Sequence, residues 1–148
     1  MKYILSFIIG ALLLSCSNNE KDEVSKDLIY ADLPQKWSLY KITGALAGSE
    51  ITGDDLDYQQ FYEFNEDYTF VKTKIQNGQT ITATGTFEIV ESGNKAYVLK
   101  FNEDSSLIEN CSNEEEEYLY MALDEITLLS SWWNCDGPGL FYEQVAFD

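Results

Sequence analysis

Tyr68-Thr69-Phe70-Val71-Lys72-Thr73-Lys74-Ile75-Gln76-Asn77-Gly78-Gln79-Thr80-Ile81-Thr82-Ala83-Thr84-Gly85-Thr86-Phe87 sets two runs of β-branched and aromatic residues on either side of Asn77-Gly78. Asn-Gly is the strongest short-range hairpin signal, because a two-residue type I′ turn needs positive φ at both central positions. Thr, Val, Ile and the aromatics suit a pleated, half-buried surface. The stretch predicts an antiparallel hairpin of strands 68–76 and 79–90, with a bulge or bend at Gly85.

The same grammar repeats outward in both directions. Upstream, strands are predicted over 37–43 and 58–64, separated by a long Gly-, Ser- and Asp-rich loop over 44–57. In the first, Trp37, Leu39 and Lys41 share one face; in the second, Tyr58, Gln60, Tyr62 and Phe64 do. Downstream, strands are predicted over 95–101, 107–111, 118–123, 126–133 and 140–147. Asn65-Glu66-Asp67, Ser92-Gly93-Asn94, Asp124-Glu125 and Cys135-Asp136-Gly137-Pro138-Gly139 supply the turns. The acidic run Glu114-Glu115-Glu116-Glu117 is expected as a solvated hairpin loop. No stretch sustains a helical period. Eight to nine strands joined as sequential hairpins predict an all-β, antiparallel up-and-down barrel, which removes the exposed edges of a sheet. An immunoglobulin-like sandwich is the alternative, and short sequential turns favour the barrel over its Greek-key crossings.

The first 32 residues have a different character. Lys2 precedes an apolar run over 3–14, too short for a membrane span of about 20 residues, with the layout of a secretory signal. The run ends in Leu13-Leu14-Ser15-Cys16, which resembles the box cleaved by the lipoprotein signal peptidase. The expectation is a signal peptide over 1–15 and lipid on Cys16, where several acyl chains give stable anchoring. An ordinary signal with a chance Cys is the alternative. Residues 16–32 are mostly polar and mixed in charge, and are expected to form a flexible tether. Ser and acidic residues just after Cys16 look like the surface-export signal of lipoproteins in gut-type Gram-negative anaerobes. Attachment to the outer membrane of a Gram-negative bacterium is therefore expected, facing the periplasm or the outside. Residues 33–148 make the domain.

The 148 residues include 26 acidic and 9 basic ones and no His. A net charge of −17 disfavours nucleic acid as a partner. Lack of His removes the commonest general base, the His-dependent triads and nearly every zinc site. The acidic loops lack the spacing that wraps calcium. No enzyme activity, metal or cofactor is expected. Cys111 and Cys135 remain as an even pair in an oxidising compartment, and a disulfide between them is predicted; two buried thiols are the alternative.

Trp37, Phe64-Asn65-Glu66-Asp67-Tyr68-Thr69-Phe70, Thr84-Gly85-Thr86-Phe87-Glu88-Ile89 and the turn over 123–128 together resemble the lipocalin-like domains of exported bacterial lipoproteins. The resemblance covers roughly residue 33 to the C-terminus. Two positions depart from the pattern: Gln35 stands where the Gly of Gly-x-Trp is found, and Tyr68 where the turn has Gly. The resemblance implies an eight-stranded barrel able to hold a hydrophobic or small polar ligand, and a small, hydrophobic ligand is expected. Tyr58, Tyr62, Phe64, Phe70 and Trp132 are the candidate lining. Strand parity places Trp132 inside and Trp133 outside, where Trp133 is the candidate contact for a partner or a sugar ring. The alternative to a ligand-holding barrel is a filled barrel serving as a protein-interaction module at the cell surface.

Overall fold

The computed structural model describes residues 33–44, 46, 48–92, 94–112 and 114–147. The expected signal peptide over 1–15, the lipid site Cys16 and the tether over 16–32 lie outside the described residues. The strands, in chain order, are β1 (Gln35–Thr43), β2 (Ile51–Thr52), β3 (Gln59–Phe64), β4 (Thr69–Gln76), β5 (Gln79–Ser92), β6 (Asn94–Phe101), β7 (Glu116–Met121), β8 (Thr127–Ser130) and β9 (Gly139–Val145). Short 3-10 turns occupy Gly53–Asp55 and Ser131–Cys135. From β3 to β9 each strand pairs antiparallel with the next, and β1 pairs with both β3 and β9. The sheet is thus a closed eight-stranded up-and-down barrel, and β2 is an extra strand on the far half of β1. The β1–β9 closure excludes the sandwich.

Local chemistry explains the turns. Asn77 and Gly78 both take positive φ, 52° and 75°, as a type I′ hairpin requires. Tyr68 adopts φ 62°, the left-handed conformation that glycine takes most easily. Its ring lies 5.6 Å from that of Phe87, and Asp67 accepts bonds from the Thr69 amide and hydroxyl to close the turn.

Several strand predictions need correction. The expected bulge at Gly85 is absent, since the register runs through it unbroken on both sides. Glycine is required there because a β-carbon would meet the Lys100 carbonyl oxygen at 2.0 Å. The irregularity lies in β1 instead, between Leu39 and Lys41. It flips the face, so that Lys41 lies opposite Phe141 on the outside while Ile42 packs on the core. Residues 107–111 form no strand. The β6–β7 connection is a strap whose polar groups bond to side chains: Lys72 donates to the Leu107 carbonyl, and Asn110 to the Glu114 and Glu116 carbonyls. The predicted strand over 126–133 stops at Ser130, whose hydroxyl accepts from the Trp132 amide and starts the 3-10 turn.

The registers give the barrel two ends. The chain enters at Gln35 beside the 65–68 and 122–126 turns. The other end carries the 44–58 connection, the Asn77-Gly78 turn, the strap and the Ser131–Cys135 turn. The interior near the entry end is aromatic. Phe64 lies 4.8 Å from both Phe87 and Tyr97, and Phe70 lies 5.0 Å from Phe101. Trp37 is fully buried, and its indole N–H donates to the Gln35 carboxamide, which also accepts from Tyr97. Gln35 thus accepts from two buried donors at once, one from β1 and one from β6.

Candidate functional site

At the strap end the interior changes from aromatic to ionic. Period-two alternation on β4 carries Phe70 inward and so carries Lys72 inward, where it is fully buried. On β7 the parity of Leu119 and Met121 carries Glu117 inward, also buried. The strap adds Glu109. The Lys72 ammonium donates to Glu117 Oε1 at 2.7 Å and Glu109 Oε2 at 2.9 Å. Glu117 accepts further from the Tyr62 hydroxyl and the Glu109 amide, and Glu109 from Gln60, which also donates to Tyr142 Oη at 2.7 Å. Gln60 Oε1 is the one buried side-chain polar atom among the described residues without a partner.

This corrects the reading of Glu114–Glu117 as a solvated loop: Glu116 begins β7 and Glu117 is 1% exposed. Period-two parity was the available signal, since Glu117, Leu119 and Met121 alternate. The charge run masked it.

The network has two carboxylates and one ammonium. Burial works against the Lys72 charge, but Glu117 and then Glu109 outweigh it and push the ammonium pKa up. Burial also pushes the Glu117 carboxyl up; Lys72 pulls it back, Glu109 reinforces burial, and the net lies above the ordinary 4.5. Tyr62 and Tyr142 are raised well above 10, first by burial and then by the carboxylates, and remain protonated; Tyr62 donates to Glu117, while Tyr142 accepts from Gln60. A prediction follows from the sign at Glu117. The folded state holds that proton more tightly than the unfolded one. Its contribution to stability therefore grows as pH falls through the raised folded pKa, and is complete below 4.5. Urea midpoints of wild type relative to Glu117→Gln should move in favour of wild type as the pH is lowered toward 4.5. Movement the other way would mean that Lys72, not burial, sets the carboxyl. Asp67 and Asp124 act oppositely. Hydrogen bonds from Thr69 lower Asp67; at Asp124 burial opposes, but the bonds from Thr127 and the Ile126 amide prevail. Their contribution is lost as pH falls below 3.8.

The five ligand-lining candidates fall in different places. Tyr62, Phe64 and Phe70 are buried core residues in ring contact with one another. Tyr58 precedes β3 and is partly buried; Lys74 sits over its ring at 3.7 Å, and burial, then Glu109 and Asp57, push its hydroxyl up to about 12. Trp132 leans on the core from the 3-10 turn, so close to Gly137 that a β-carbon there would meet the indole at 2.6 Å. Trp133 is 50% exposed, and its indole N–H donates to Tyr120 Oη at 2.6 Å. Neither Trp lies in a strand, so their placement follows the 3-10 turn rather than strand parity.

Trp133 borders a groove of about 310 Å³ on the outer rim, whose walls include Thr43, Leu129, Asp136, Gly137 and Phe141. Its apolar side continues a row across four strands, in which Tyr120 faces Leu129, Leu129 faces Phe141, and Phe141 faces Lys41. The predicted disulfide is present. Cys111 and Cys135 are joined with their Cα atoms 5.5 Å apart, tying the strap to this rim. Among the described residues no group of three or more His, Cys, Asp or Glu could hold a metal ion, and no helix is long and apolar enough to cross a membrane. No family model, curated protein or solved structure matches the chain.

Proposed function

We propose that the protein is an outer-membrane lipoprotein module that binds a protein partner with the rim of a filled, lipocalin-like barrel. The observation that carries this reading is the barrel interior. Rings from Tyr62, Phe64, Phe70, Phe87, Tyr97 and Tyr142 contact one another across it, and the Lys72 network fills the end beneath the strap. A ligand of any size inside would have to displace rings that pack as a core. Both oxygens of Glu117 are engaged, which fits a structural network better than an acid–base pair.

The outer rim has what the interior lacks: an exposed aromatic beside a concave surface, of the kind that supplies most binding energy at interfaces. It lies at the end opposite the chain entry. If Cys16 carries lipid, residues 16–32 attach at the entry end, and a chain of that length spans at most about 60 Å. The Trp133 rim is then presented away from the membrane.

The test is a photoreactive residue at position 133 of the full-length, lipidated chain in its own cell envelope. A discrete cross-linked species is expected there and none at Ile81, exposed on the wall near the 77–78 turn. Cross-linking at Ile81 but not at 133 would overturn the reading. A native mass spectrum of the same chain should show no added mass beyond its lipid. An added mass lost on denaturation would instead favour a small ligand within the barrel.

A further inference from the structure

We infer that the groove beside Trp133 is a receptor for a cationic side chain, arginine above lysine, on a basic segment of the partner protein. This rests on the rim being the partner-facing site and names the chemistry recognised there.

Four observations converge. The Trp133 indole is held at its polar edge by Tyr120, so what it offers a ligand is its face, and Trp is the best aromatic acceptor of a cation. Phe141, another residue of the groove lining, already meets a cation with its ring, the Lys41 ammonium sitting over it at 4.1 Å. Asp136 lines the same groove from a left-handed turn position, φ 69°, and its carboxylate makes no hydrogen bond or ion pair among the described residues. The chain as a whole carries 26 acidic against 9 basic residues, a field that draws basic segments in and turns acidic ones away.

The shape agrees. About 310 Å³ is the lower bound for a small-molecule pocket and ample for one long side chain. A guanidinium is planar and presents a fork of donors, so it can stack on the indole while bonding a carboxylate; an ammonium can do only one of these well.

The experiment is a binding titration of full-length lipidated protein in detergent. The probe is a labelled peptide alternating arginine and glycine, with citrulline and lysine versions as comparisons. Citrulline keeps the shape of arginine and loses its charge. The arginine peptide should bind at least about tenfold tighter than the citrulline peptide, with lysine between them. Trp133→Ala should weaken it about tenfold or more, and Trp133→Phe less, since a ring remains. Asp136→Asn should weaken it about fivefold, while Glu66→Gln, which removes an exposed acid at the far end, should change it less than about twofold.

Equal binding of the arginine and citrulline peptides would overturn the cation assignment and point to a neutral stacking ligand such as a sugar ring. Equal losses from Asp136→Asn and Glu66→Gln would overturn it in favour of unspecific attraction. Absence of binding by either cationic peptide, with cross-linking at position 133 retained, removes the cation assignment alone; loss of the cross-link as well removes the rim with it.

Discussion

Lys72→Met is expected to lower stability by about 3–5 kcal/mol, because it leaves Glu117 and Glu109 charged and buried without their shared ammonium. Lys72 is fully buried and Glu117 nearly so, and neither carboxylate can turn to solvent without pulling β7 or the strap out of the barrel. The measurement is urea unfolding followed by tryptophan fluorescence. Rescue separates charge from packing. Lys72→Met with Glu109→Gln and Glu117→Gln should regain a large part of the loss, since a neutral, hydrogen-bonded interior no longer needs the ammonium. A loss below about 1 kcal/mol for the single variant would mean that the ammonium does not hold this network together.

Replacing both Cys111 and Cys135 by Ser is expected to cost about 3 kcal/mol in the chain-entropy account of a cross-link over a loop of this size. The pair is 24 residues apart in sequence and joins two segments without ladder pairing, the strap and the Ser131–Cys135 turn. The barrel should still form, because Leu107 and Glu109 remain bonded to Lys72. Limited proteolysis should move first to the strap, at residues 110–115. A change in the urea midpoint worth less than about 1 kcal/mol would show that the inner network alone holds the strap.

The two results bear on one design. The strap is fastened from inside by an ion network and from outside by a disulfide, and the outer fastening also fixes the rim that carries Trp133. A rigid rim loses less entropy when it binds. The Cys111→Ser, Cys135→Ser variant should therefore also bind the arginine peptide more weakly than wild type.

Much of the fold was legible in the residues because its signals are local. Asn77-Gly78 sets two positive φ values, Gly and Asp punctuate the turns, and period two assigns faces. Such features depend on neighbours a few positions away. They led to an all-β meander, to barrel closure and to the Cys111–Cys135 pair, all of which the structure contains. Where the local signal is ambiguous, tertiary contacts decide. Residues 107–111 alternate well enough for a strand, but side chains from β4 and β7 take over their backbone partners. Glu117 hid at the end of a run of four glutamates, although Leu119 and Met121 announced its face. Trp132 and Trp133 had opposite faces on a strand, and a Ser130 cap turned that strand into a 3-10 turn.

By itself the sequence determined the class of fold and the up-and-down course of most of its strands, because backbone preference and alternation are properties of short stretches, and two Cys left over in an oxidising compartment named the cross-link. Only the tertiary structure decided what fills the barrel. Lys72 lies 37 and 45 residues from Glu109 and Glu117; parity can put a side chain on the inner face, but no local pattern says which charges will meet there. The same holds for the rim, where Tyr120, Trp133, Asp136 and Phe141 come together because β7, β8 and β9 are successive neighbours in the barrel and the 3-10 turn contacts both outer strands of the three.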